Sequence, residues 1–326
     1  MINQVSIIVL TPVKNEDWIL DKFLRITSLF ADHILVADQG STDNTKQIIG
    51  QYPKAIYIEN EKEEYDENYR QNLLINKARE LFRGKKLLIA LDADEIITAD
   101  SIDSLEWSTI CSQPEGTQIL FKKPDVLPGL TKFLNHPDYF LLGYIDDGRT
   151  HIGLKFHSPR LPSSNQQYFS TTIAFMHLAI ARNLEYDAKQ RLYSVLENLN
   201  KTSSLRFRYR KYAKTLQEQL YQSSVRALPE SWLKAYEKIG IYLKEFSTSE
   251  VNNYNIRILK EFNDYGTYRF WMDDIWYVDF NEINKSLNGV CKKRITYPPF
   301  FVNNLREALI FFYGHGLKLK SSLAKK

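Results

Sequence analysis

Three carboxylates in four residues, Asp92, Asp94 and Glu95, close the stretch LLIALDADEI at 87–96. Its first half is apolar at every position, the pattern of a strand buried on both faces. In extended chain Asp92 and Asp94 point the same way, about 6–7 Å apart, and Glu95 points to the other side. Two carboxylates held that close at neutral pH require a cation or a shared proton. Hard oxygen donors suit Mg²⁺ or Mn²⁺, and a divalent ion between them would hold a diphosphate. The competing reading leaves the acids as caps of a following helix or as surface charges.

The surrounding elements decide between these readings. Apolar runs at 5–10 (VSIIVL), 33–37 (HILVA), 55–60 (AIYIEN) and 86–91 (KLLIAL) read as strands. Between them lie helical patterns. Residues 17–30 place Ile19, Phe23, Ile26 and Phe30 on one face, residues 41–52 start with Ser41 or Thr42 as N-cap, and residues 68–82 form the third. Strand–helix alternation of this kind predicts parallel βαβ units in a doubly wound α/β sheet. Ligands bind such sheets outside the carboxyl ends of the strands. Three of those ends carry TPVKNED, DQGSTDNT and DADE, so the expected site is lined by Thr11, Asn15, Glu16, Asp38, Asp92 and Asp94.

Beyond 117 the pattern loosens. QILFKK and TTIAFMHL read as strands around a segment rich in Pro, Gly and Asp, and long helical patterns follow after 184. The expected organisation is an α/β unit at 1–183 and a mainly helical region at 184–326. Of the 326 residues, 44% are hydrophobic and 25% charged, so a sizeable core can form. A net charge of +4 is too small to make nucleic acid the main partner. Two distant cysteines form no disulfide framework and no metal spacing. The first residues, MINQVSIIVLTPVKNE, lack the features of a signal peptide, which points to a cytoplasmic chain.

The motifs VKNE, ADQGSTDNT and LDADE, in this order and spacing over the first 100 residues, closely resemble those of family 2 glycosyltransferases with the GT-A fold. The resemblance implies a Rossmann-like, doubly wound mixed sheet followed by a C-terminal helical region. It also implies a nucleotide-sugar donor, foremost a UDP-sugar, and Mn²⁺ or Mg²⁺. The loop Thr11, Pro12, Val13, Asn15 and Glu16, with Asp38 and Gln39, would hold base and ribose. Asp92 and Ala93 would meet the ribose, with Asp92 also reaching the metal; Asp94 would bind it. The family often carries an Arg-Asn pair at its third helix. Here the chain reads YRQN, so Arg70 or Gln71 takes the basic position and Asn72 the amide. His177 matches a histidine that completes the metal site in several subgroups, and Arg182 and Lys189 follow it as candidates for phosphate contact.

Inverting transfer, which the resemblance also implies, needs a carboxylate base for the acceptor hydroxyl. Asp125, Asp138, Asp146 and Asp147 are candidates. Asp146 and Asp147 are preferred because YIDDGRTH lies in the loose stretch expected to border the acceptor. Arg160, in FHSPRLP, is expected near the same region. The acceptor would be a saccharide or a lipid-linked saccharide used in bacterial surface polysaccharide or glycoconjugate synthesis. The aromatic run TYRFWMDDIWYVDF at 267–280 would stack on sugars or build a helical core. The final segment, apolar and then lysine-rich, is a candidate for peripheral contact with the inner face of a membrane. Two rival functions are a nucleotidyltransferase, disfavoured because TPVKNED has no glycine, and a non-catalytic sugar-nucleotide binding protein.

Overall fold

The apolar runs become the strands that their composition calls for. The computed structural model describes residues 5–62, 64–155, 158–201, 203–214, 224–244 and 251–323. β1 (Ser6–Val13) pairs in parallel with β2 (His33–Asp38) on one side and with β4 (Lys86–Ala90) on the other. β3 (Ala55–Glu59) continues in parallel beyond β2. The chain therefore winds outward through β2 and β3 and returns to place β4 across β1. The switch in strand order falls between β1 and β4, where a crevice opens at the carboxyl ends.

Period-two alternation sorts β1 onto two cores. Val9 and Val13 join Ile19, Phe23 and Ile26 of α1 (Asp17–Thr27) on one face. Ile8 and Leu10 join Leu74, Ile75 and Ala78 of α3 (Glu67–Leu81) on the other. Helices thus cover both faces, as a doubly wound sheet requires. The short helix α2 (Thr45–Ile49) is narrower than the 41–52 pattern predicts, and its N-cap position is Asn44 rather than Ser41 or Thr42. Asp43 Oδ1 accepts from Thr45 N, and Ser41 and Thr42 are committed instead to neighbouring loops.

The loose stretch contains ordered strands. β6 (Gln118–Lys122) and β9 (Phe140–Ile145) pair antiparallel, and β9 also pairs antiparallel with β4. β10 (Gln167–His177) runs parallel to β6. The last residues of β10 pair with β5 (Glu95–Ile97), and His177 pairs with Asp125 of β7 (Asp125–Val126). β8 (Lys132–Leu134) pairs with β7. The sheet is mixed, as expected from the sequence, and the carboxyl ends of β1, β2, β4, β6 and β10 all lie along one edge.

The chain divides into two compact units, Met1–Ala181 with Arg226–Ser247, and Arg182–Val225 with Thr248–Lys326. The expected contiguous region 184–326 is therefore interrupted: residues 226–247 return to the first unit. Helix α7 (Ser231–Lys238) explains why. Its Tyr236 hydroxyl donates to Ile97 O, Ser231 Oγ to Asp100, and Trp232 packs on Phe133 with ring centroids 4.8 Å apart. Gly240, at φ +74°, lies just beyond this helix, which ends at Lys238.

The second unit holds α5 (Asn183–Asn200), α6 (Leu205–Tyr212), α8 (Val251–Tyr265), α9 (Phe280–Ser286) and α10 (Phe300–Leu323). α6 ends at Tyr212. Val225–Ala227 is a strand, and residues 215–223 lie outside the described residues. Phe262 stacks on Trp276 at 5.4 Å and meets Phe280 edge-on, so much of the aromatic run is core.

Candidate active site at the strand tips

The strand tips are clasped together by the polar residues that the sequence placed there. β1 runs to Val13, three residues farther than its apolar run. Thr11 is consequently inside the sheet, fully buried, and its Oγ1 has no hydrogen-bond partner among the described residues. Val13 joins the core, and Pro12 lies beyond the last β1–β4 pair, Leu10–Ala90. The expectation that all three side chains line a loop is corrected for Thr11 and Val13, which are buried; Pro12 stays half-buried. Asn15 adopts φ +57°, a left-handed conformation that Asn tolerates. In it Asn15 N donates to Ser41 Oγ and Oδ1 accepts from Thr42 N, each at 2.8 Å. Glu16 N donates to Thr45 Oγ1, and Glu16 Oε2 accepts from the Trp18 indole.

Asp38, at the end of β2, is buried and accepts from Ser41 N and Ser41 Oγ. Burial and the nearby Asp38 carboxylate push the Tyr57 hydroxyl up. Gln39 Nε2 donates to Lys62 O and Glu64 O, which ties the β2 and β3 tips together. Arg70, on the first turn of α3, lies over the Tyr65 ring at 5.0 Å, and its buried Nε has no hydrogen-bond partner among the described residues. Gln71 is buried, which leaves Arg70 for the basic position, and the Asn72 amide donates to Asn68 Oδ1.

The acid cluster is arranged differently from the extended-strand expectation. β4 ends at Ala90, and Asp92–Glu95 is a turn closed by Glu95 N donating to Asp92 O at 2.9 Å. The turn replaces the extended geometry on which a shared face for Asp92 and Asp94 was expected. Ala93, expected at the ribose, is buried in the apolar core. Asp92 is instead grouped with Glu95: Arg160 Nη2 lies 2.5 Å from Asp92 Oδ2, and Arg160 Nη1 lies 2.5 Å from Glu95 Oε2. Lys123 Nζ adds a second cation 2.8 Å from Glu95 Oε1. Burial would push Glu95 up, but Arg160 and Lys123 outweigh it and hold the carboxyl well below its usual range. These two cations are why neighbouring acids coexist here.

The loop that delivers Arg160 is anchored on the first turn of α3. Glu67 N donates to Lys155 O, and Ser158 N donates to Glu67 Oε2. Gly153 permits the close approach: a Cβ there would stand 2.0 Å from Ser158 Oγ.

Asp94 faces the other way, toward His177 at the end of β10, with Oδ2 3.7 Å from His177 Nε2. His177 Nδ1 pairs with Asp125 Oδ1 at 2.5 Å, and Asp125 Oδ2 pairs with His136 Nε2 at 2.7 Å. Burial and Lys123 push His177 down, yet Asp94 and Asp125 prevail and raise it. Burial pushes Asp125 up, and the two imidazoles pull it well below the carboxylate range. The hydrogen bond to Asp125 raises His136. The expected metal set of Asp92, Asp94 and His177 is corrected in one member: Asp92 is turned away to Arg160. Among the described residues no three His, Cys, Asp or Glu side chains gather around one metal position. Asp94 and His177 do gather, and a carboxylate oxygen with an imidazole nitrogen braced by a second carboxylate is a donor pair that fits Mn²⁺ or Mg²⁺ only in part, leaving the remaining positions to other ligands.

Asp146 and Asp147 are not at this edge. β9 runs antiparallel to β4, so its carboxyl end lies beside the amino end of β4, where Asp146 N donates to Lys86 O. That is at least about 13 Å along the strand from the acid turn. Both acids have structural partners there, Arg79 for Asp146 at 2.7 Å and Arg149 for Asp147 at 2.6 Å. Arg182 pairs with Glu185 at the start of α5 in the second unit.

Sequence reasoning missed Lys123, Glu95 and His136 as site residues. Lys123 is the last residue of QILFKK, so the strand-end rule applied to that strand would have found it. Nothing in the spacing of His136 signals its position.

Residues 8–105 match the family model described as "Glycosyl transferase family 2". The matched segment lies within the first unit and takes in β1 to β4 and the acid turn. No curated protein matches the chain. Among solved structures, S. aureus TarS residues 1–349 is 12% identical, with 87% of this chain and 91% of that chain covered and a TM-score of 0.41. Glucosyl-3-phosphoglycerate synthase from Mycobacterium tuberculosis, in complex with Mn²⁺, uridine diphosphate and glucosyl-3-phosphoglycerate, is 18% identical over 37% of this chain and 44% of that chain, with a TM-score of 0.24. Likenesses at these scores fix neither substrate nor reaction.

Proposed function

We propose that this protein is a metal-dependent, inverting glycosyltransferase. It would move a sugar from a nucleoside diphosphate sugar, foremost a UDP-sugar, to a hydroxyl of a saccharide or lipid-linked acceptor, in the cytoplasm and in the synthesis of a bacterial surface polysaccharide or glycoconjugate. The observation that carries this reading is the pairing of Asp94 with His177 Nε2 at the strand tips of a domain that matches family 2.

Each part of the edge has a place in that reaction. The clasped loops of Asn15, Asp38 and Gln39 hold the nucleoside, with Asp38 fixing the loop through Ser41. Arg70, a partly buried cation with Nε unbonded, faces the donor. Asp94 and His177 hold the divalent ion, which when bound offsets the charge that develops on the diphosphate. Asp125 orients His177 and keeps Nε2 directed at Asp94. Arg160 and Lys123 keep Glu95 ionised and the acid turn closed, which fixes the direction of Asp94.

In the transfer, the bond between the anomeric carbon and the diphosphate oxygen breaks with its electron pair leaving on the diphosphate. The acceptor oxygen forms the new bond from the opposite face, and its proton passes to a base. Of the four candidate bases, Asp146 and Asp147 are at the wrong end of β4 and Asp125 is held by two imidazoles. Asp138, exposed on the loop that carries His136, is the remaining candidate.

A thermal-shift screen of nucleoside diphosphate sugars with Mn²⁺, followed by turnover of the best donor, tests the reading. Metal-dependent release of the nucleoside diphosphate supports it. Tight nucleotide binding with no turnover of any donor would point instead to a non-catalytic binding protein.

A further inference from the structure

Helix α10 carries two apolar faces, and its own unit uses only one of them. Arg306 and Ile310 are buried, and Leu309 and Tyr313 pack with Tyr209 and Leu205 of α6. Arg306 is further fixed by Trp271 O and Asp274. Roughly a third of a turn away lie Phe301, Leu305, Ala308 and Phe312, spaced by four, three and four residues as one stripe requires. Phe301 is 71% exposed, Leu305 53% and Phe312 70%, and Phe300 and Phe311 flank them at 79% and 64%. Scattered exposed apolar residues are ordinary, whereas a continuous aromatic stripe on one helix face marks a surface that is covered by something else.

Charge identifies the occupant. Residues 300–326 contain five cations, Arg306, Lys318, Lys320, Lys325 and Lys326, and one anion, Glu307. Their net of +4 equals that of the whole chain, so residues 1–299 are neutral in sum. A second copy seated on this stripe would bring like charge against like charge. An anionic lipid surface meets both properties, with apolar side chains entering the headgroup boundary and lysines attracted to lipid phosphates. Among the described residues no helix is long and apolar enough to cross a membrane. A helix of about 36 Å with a lateral stripe suits a position in the plane of the surface instead. We propose that α10 docks this enzyme in plane onto an anionic bilayer through Phe301, Leu305 and Phe312, with the following lysines supplying the electrostatic attraction. The inference does not rest on the proposed reaction, because it needs neither donor nor metal.

Co-sedimentation of the full chain tests it, using vesicles of phosphatidylcholine alone or mixed with phosphatidylglycerol, at low and high salt. The expected result is binding to the mixed vesicles that weakens as salt is raised. Phe301→Ser with Phe312→Ser should weaken binding at least about tenfold. Lys318→Gln and Lys320→Gln should each cost roughly fivefold. Far-UV circular dichroism and Tm should stay as in the parent for the phenylalanine variant, because these side chains are exposed. A wild-type chain that stays in the supernatant with mixed vesicles at low salt overturns the proposal. So does a vesicle-free dimer, seen by light scattering, that the same phenylalanine changes convert to monomer.

Discussion

His177 Nδ1 lies 2.5 Å from Asp125 Oδ1, which leaves Nε2 directed at Asp94, 3.7 Å away. This arrangement of carboxylate, imidazole and open nitrogen is the one that orients a metal-binding histidine and raises its basicity. Asp125→Asn keeps the shape of the partner and removes its charge. It should weaken Mn²⁺ binding about 10–100-fold by calorimetry, and an unchanged affinity would mean that Asp125 serves only the fold.

Arg160 is the main partner of buried Glu95. Arg160→Met leaves that carboxylate with Lys123 and the Asp92 backbone N–H. Removing one partner of a buried ion pair costs about 3–5 kcal/mol, and the remaining lysine puts the expected loss near the low end. Denaturant unfolding measures it. A loss well under about 1 kcal/mol would show that Glu95 is not dependent on Arg160.

Glu106 gives a pH signature remote from the site. It accepts from Thr171 N, Thr172 N, Ser170 Oγ and Tyr168 Oη, which closes the irregular turn in β10. Burial raises its carboxyl, but these bonds prevail and bring it down to about 2. The folded value lies below the unfolded value of about 4.3, so its contribution is present above that pH and is lost as pH falls toward 2. Glu106→Gln should therefore destabilise the protein by about 1 kcal/mol at neutral pH, discounted for partial exposure. The gap from wild type should close between about pH 4.3 and 2. A gap that stays constant across this window contradicts the assignment.

Asp146→Asn distinguishes the two ends of β4. A general base contributes about 10²–10⁴ to rate, whereas the bond from Asp146 to Arg79 is structural. The substitution should leave kcat/KM within about twofold of wild type while lowering Tm. A rate loss of a hundredfold with intact fold would return Asp146 to the catalytic centre.

The parallel half of the sheet was legible because each of β1 to β4 is a short apolar run between helical patterns, a purely local signal. The tip residues Asn15, Asp38 and Asp94 were legible for the same reason, since a fixed topology brings the ends of such strands to one edge. The direction of β9 was not. Antiparallel pairing of β9 with β4 depends on contacts between distant segments, and it alone decides that Asp146 lies far from Asp94. Reading LDADE as extended chain also failed, because the backbone turn from Asp92 to Glu95 is stabilised by Arg160, which is 65 residues farther along the chain than Glu95. The return of 226–247 to the first unit was hidden because its helix has an ordinary amphipathic pattern that does not name its partner.

The proposed transfer depends on an ion held by Asp94 and His177. The most direct measurement is Mn²⁺-dependent release of nucleoside diphosphate by Asp94→Ala beside wild type, with circular dichroism as the control for fold. Turnover is expected to be lost while the circular dichroism spectrum is unchanged. Wild-type turnover by Asp94→Ala in the presence of Mn²⁺ would contradict it.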